Sequence, residues 1–82
     1  MPHYPIDAVT EKIVLGFLNK ARELDMGNVN FHYYTPGVDF YLEECKEYWE
    51  LIVKSGQNAQ GELTDVYRID GDELKFRYSE QD

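Results

Sequence analysis

The sequence predicts a small α+β domain with elements in the order α-β-α-β-β: a three-stranded antiparallel sheet with two helices packed on one face. Three observations predict it. Apolar residues recur at helical spacing over 6–25 and again over 37–55. Residues 28–34 alternate between apolar and polar, as a half-buried strand does. Two further runs flank Asp70-Gly71, a dipeptide favoured in two-residue hairpin turns. At 82 residues the chain makes one domain, 1–82. A chain of this size buries about 60–65% of its unfolded surface, so its core is thin.

The first helix is placed over 6–25 by Ile6, Val9, Ile13, Phe17 and Leu24, which form one apolar stripe. Asp7 suits its start, and Met26-Gly27-Asn28 its end. Val14, Leu15 and Leu18 form a second apolar patch off that stripe. In the strand over 28–34, Val29, Phe31 and Tyr33 share one face, and Asn30, His32 and Tyr34 the other.

Thr35 and Pro36 then fit the N-cap and first position of a second helix over 37–55. At 100° per residue, Tyr41, Leu42, Cys45, Tyr48, Trp49, Ile52 and Val53 lie on one arc. Asp39, Glu43, Glu47 and Glu50 lie on the opposite arc. Residues 55–62 lack a large apolar side chain and read as an exposed loop.

In the closing hairpin an Asp70-Gly71 turn pairs Ile69 with Asp72, Arg68 with Glu73 and Tyr67 with Leu74. Leu63, Tyr67, Ile69, Leu74, Phe76 and Tyr78 then share one face. Thr64, Val66, Arg68, Glu73, Lys75 and Arg77 share the other. Residues 79–82 read as a polar tail.

Composition excludes several functions. Sixteen acidic against eight basic residues give a net charge of −8, which disfavours direct binding to nucleic acid. No apolar run approaches the roughly 20 residues of a membrane span. The first residues lack the basic and apolar regions of a signal peptide, which places the chain in the cytoplasm. Cys45 is a single cysteine on an apolar arc, and reads as an inert buried thiol. His3 and His32 lack ligand spacing, so neither a metal nor another cofactor is expected. No nucleophile motif, phosphate loop or facing carboxylate pair supports an enzyme.

What remains is the acidic ridge. Residues 39–50 carry five acids against Lys46 alone. Like charges one helical turn apart repel by a few tenths of a kcal/mol per pair. Asp39, Glu43, Glu47 and Glu50 could follow a partner's Lys/Arg groove as a row of phosphates would, with Tyr33 and Tyr34 packing at the rim. The competing reading is a solvated face that only keeps the protein soluble.

The function expected is therefore a small acidic interaction protein that binds the basic, nucleic-acid-binding surface of a protein partner by charge mimicry. Inhibitors made by phages or mobile elements, and antitoxin or immunity proteins, are small acidic chains of this sort. Two other readings compete. A winged-helix-like regulatory module would place Arg68, Lys75 and Arg77 on DNA as a wing. A structural homodimer would pair through Val14, Leu15 and Leu18.

Overall fold

In a computed structural model, which describes residues 2–32, 37–56 and 62–81, one helix is followed by five strands. The elements are α1 (Ala8–Glu23), β1 (Asn28–Phe31), β2 (Asp39–Glu44), β3 (Trp49–Ser55), β4 (Leu63–Asp70) and β5 (Glu73–Gln81). The strands form a single antiparallel meander in the order β1-β2-β3-β4-β5. The class is α+β, as expected, but the arrangement of two helices and three strands is wrong.

The second helix is the error. Residues 39–44 and 49–55 are strands joined by a two-residue turn, Lys46-Glu47, in which the Cys45 amide donates to the Tyr48 carbonyl at 2.8 Å. Phe40 and Leu51 explain why the strands win. On a helix both would fall beside the acidic residues and face water. In the sheet both are fully buried. Burying each side chain is worth about 1.5–3 kcal/mol, more than helical charge patterning returns. The second helix that the winged-helix arrangement would place on DNA is a strand pair here, and α1 is the one helix among the described residues.

α1 forms where expected but is rotated about its axis. Its buried residues are Thr10, Val14, Leu18 and Ala21. Val9, Phe17 and Leu24, from the expected stripe, are exposed, while Val14 and Leu18 lie at the centre of the core. Leu15 is half-buried against that core. The patch expected to pair two copies is thus the packing face of the helix. Asp7 caps the helix by accepting from the Thr10 amide at 2.8 Å, which holds its carboxyl below the usual range. At the other end the Met26 amide donates to the Ala21 carbonyl and the Asp25 amide to the Arg22 carbonyl. Asp25 takes the left-handed backbone (φ 54°) that this double-bonded stop requires.

The core lies between α1 and one face of the sheet. Phe31, Phe40, Leu42, Trp49, Leu51, Val53, Tyr67 and Ile69 point into it. Phe31 stacks between Phe17 and Phe40, with ring centroids 4.1 and 5.2 Å away.

The hairpin forms, with its turn one residue later than expected. Asp70 pairs with Glu73, and Gly71-Asp72 are the central residues. Gly71 has φ 65° and Asp72 has no positive φ, the pattern of a turn with glycine first rather than second. Further along, Phe76 pairs with Tyr67 but Tyr78 with Val66, so Arg77 is an extra, bulged residue. The bulge moves Tyr78 to the opposite face from the one expected. It also brings Ser79, expected in the tail, into β5 opposite Asp65.

Asp65 is a fully buried carboxylate on the helix side of the sheet. It accepts from the His3 amide at 2.9 Å, the Tyr4 amide at 2.7 Å and the Ser79 hydroxyl at 2.6 Å. His3 Nδ1 lies 3.4 Å away. Burial alone would raise the Asp65 pKa, but these donors outweigh it and hold the group below the ordinary carboxylate range. One side chain thereby fastens the N-terminal segment and β5 to the sheet.

Asp65→Ala is expected to lower the unfolding free energy by about 3 kcal/mol, since the His3 and Tyr4 amides lose their acceptor. Urea denaturation measures it. Because the folded pKa is depressed, the stability from Asp65 is complete above its unfolded pKa and is lost as pH falls through the folded value. The acid limb of a stability-versus-pH curve should therefore flatten in Asp65→Asn.

Candidate contact surface

A single helix covers one face of the sheet, and no element among the described residues covers the other, here called the open face. Strand alternation decides what points there: Asn28 and Asn30 from β1; Asp39, Tyr41 and Glu43 from β2; Glu50, Ile52 and Lys54 from β3. Thr64, Val66, Arg68 and Asp70 follow from β4, then Glu73, Lys75, Tyr78 and Glu80 from β5.

The strand register arranges these residues in rows. The middle row is Asn30, Tyr41, Ile52, Val66 and Tyr78. Its apolar members face away from α1; Val66 is buried at 4% exposure, while Tyr78 is 46% exposed. Beside Tyr41 a hollow of about 300 Å³ is lined by Asn30, Asp39, Ile52 and Lys54.

The row toward the β2–β3 turn is charged and divided: Glu43 and Glu50 on one half, Arg68 and Lys75 on the other. Glu43 and Glu50 stand directly opposite each other, a placement that costs stability. Neither has an ion-pair partner within 4 Å among the described residues. Arg68 borders Glu50 but turns to Asp70 at 2.9 Å and lies over the Tyr48 ring at 4.3 Å from its centroid. Hydrogen bonding to Asp70 raises the Arg68 pKa, and the same bond lowers that of Asp70. Lys75 also approaches Asp70, at 3.6 Å.

The expected ridge residues are therefore still on one side of the molecule, though not on a helix. Asp39, Glu43 and Glu50 point from the open face. Glu47 is exposed in the β2–β3 turn. Asp39 is engaged by His32, Nε2 to Oδ1 at 3.0 Å. Tyr33 and Tyr34, the expected rim, lie outside the described residues. Sequence reasoning missed the middle row, because Ile52 and Tyr41 were assigned to a helical core. It also missed that the basic residues of the hairpin share a face with the acids.

Another cleft, of about 310 Å³, lies by the two hairpin turns. Arg22, Glu44, Cys45, Lys46, Glu47, Tyr48, Trp49 and Asp70 are among its walls. Burial, then Glu50 and Glu43, push the Cys45 thiol upward, so it stays protonated and is a poor nucleophile. No group of three or more metal-ligating side chains occurs among the described residues. No described helix is long and apolar enough to cross a membrane.

Comparison of the chain with models of protein families, with curated proteins and with solved structures finds no match. Function is argued from the residues themselves.

If Glu43 and Glu50 oppose each other at a cost, Glu43→Lys should stabilise the fold by roughly 0.5–1 kcal/mol by turning repulsion into attraction. Urea midpoints of the two proteins, compared at low salt, measure this.

Proposed function

We propose that the chain is a small interaction protein whose open sheet face docks on a basic surface of a protein partner. The observation that carries this reading is the Glu43–Glu50 pair: two carboxylates set opposite each other, against stability, beside the partly exposed Tyr41 and Ile52. Glu47 adds a third charge at the same end, and Tyr41 and Ile52 supply apolar contact next to it. An acidic patch rimmed by aromatic side chains suits Lys- and Arg-rich surfaces, including those that bind nucleic acid. Asp39 contributes less, because His32 already holds it.

Affinity capture from the source organism, with the bound protein identified, tests the reading. A basic protein other than the chain itself should be retained at about 50 mM salt and lost toward about 500 mM, where exposed charges are screened. The Glu43→Lys/Glu50→Lys double variant should capture none of it. Retention by that variant, with folding confirmed by circular dichroism, would overturn the proposal.

A further inference from the structure

α1 shows water more apolar surface than packing within the chain explains. Val9 is 59% exposed, Phe17 38% and Leu24 57%. With Ile13, Gly16 and Lys20 they form one stripe, about a quarter-turn from the buried face of the helix. Phe17 places the stripe on the β1 side, where its ring stacks on Phe31. Arg22, on the other flank, donates to the Gly71 carbonyl at 3.4 Å. β1 is an edge strand, so no described strand extends beyond the stripe. Ile13, Gly16, Phe17 and Lys20 line a hollow of about 330 Å³ along it.

Two members of the stripe are unfinished within one chain. Gly16 sits mid-helix on an exposed face, where glycine weakens a helix relative to alanine. A Cβ added there would meet no atom within 4 Å, so no neighbour in this chain requires the glycine. Phe17 ends a column of stacked rings, Phe40–Phe31–Phe17, whose last ring stays exposed.

We infer that this stripe pairs with the same stripe of a second copy, the two α1 helices packing antiparallel about a two-fold axis at the level of Gly16 and Phe17. The intervals along Val9, Ile13, Gly16, Phe17, Lys20 and Leu24 are 4, 3, 1, 3 and 4, the same in either direction, so the axis returns the stripe onto itself. Val9 then faces Leu24 of the second copy, and Ile13 faces the aliphatic stem of its Lys20. At the axis the Gly16 backbones approach closely, and the two Phe17 rings meet beside them, joining the two aromatic columns.

Charge agrees with this register. Lys12 and Glu23 lie on the same flank of the stripe, and antiparallel packing brings Lys12 of each copy beside Glu23 of the other. Neither has an ion-pair partner within 4 Å among the described residues. Glu23 also stands one turn from Lys20 of its own helix, so it separates that lysine from Lys12 of the second copy. Parallel packing would instead set Lys20 against Lys20. The net charge of −8 on each copy opposes association, but it is largely screened beyond about 8 Å at physiological salt. One helix per copy makes a small interface, below about 1,200 Å² in total, so the dimer is reversible. The pairing uses no residue of the open face. Its axis runs from the helices toward the sheets, which leaves both open faces on one side of the dimer.

Analytical ultracentrifugation of the full chain at about 150 mM salt, from about 1 to 500 µM, tests the inference. A monomer–dimer equilibrium is expected. Gly16→Gln should weaken it by at least about tenfold while leaving the monomer folded, since the new side chain meets nothing within its own chain. Lys12→Glu alone and Glu23→Lys alone should each weaken it by about tenfold, and the Lys12→Glu/Glu23→Lys exchange should restore it. Both changes suit the helix dipole, an acid toward the N-terminus and a base at the C-terminus, so unfolding does not mimic the loss. A monomer throughout the range overturns the inference. So does a dimer indifferent to Gly16→Gln, a pair of reversals that the exchange fails to rescue, or a dimer that Glu50→Lys on the open face dissociates.

Discussion

One helix can shield one face of a sheet, and this chain builds five strands beside a single helix. Every feature of interest follows from that mismatch. The helix side is filled by Val14, Leu18, Phe40, Leu42, Leu51 and Ile69, all of them essentially inaccessible to water. No element among the described residues covers the other side, yet it is not the polar surface that a one-sided sheet usually presents. Tyr41, Ile52, Val66 and Tyr78 cross its middle, flanked by the unpaired Glu43 and Glu50 on one side and by Arg68 and Lys75, both held by Asp70, on the other.

The helix side explains how so thin a domain holds together. A core of this size leaves the chain ends weakly held unless something ties them down. Asp65 does so by hydrogen bonding to the N-terminal segment and to β5 at once. A buried charge is a liability unless it is fully hydrogen-bonded. Three donors and the nearby His3 ring make it tolerable, and they also make the fold sensitive to acid.

About half of this was legible in the sequence. α1, the start of β1 and the closing hairpin announce themselves through period and turn chemistry. Residues 39–55 do not, because Tyr41 and Ile52 are apolar residues on the outer face and blur the alternation. The discriminating residues were Phe40 and Leu51, which a helix would have left in water. The turn between these strands, Lys46-Glu47, lacks the glycine or proline that signals a break. The bulge at Arg77 is silent in the sequence as well, and it alone decides that Tyr78 faces outward. The acidic residues were found correctly as a group, but for the wrong reason. Their common side comes from strand alternation and register, and the hairpin bases were read apart from them although they share the same face.

The central claim is that the uncovered face of the sheet is where this protein meets another protein. Backbone amide shifts recorded by NMR as the basic protein retained in affinity capture is titrated in test it most directly, residue by residue. The account expects shifts to move at Tyr41, Glu43, Glu50, Ile52, Arg68, Lys75 and Tyr78 while those of α1 stay fixed. Movement confined to the exposed helix residues Val9, Phe17 and Leu24, or no movement at any residue, would contradict it.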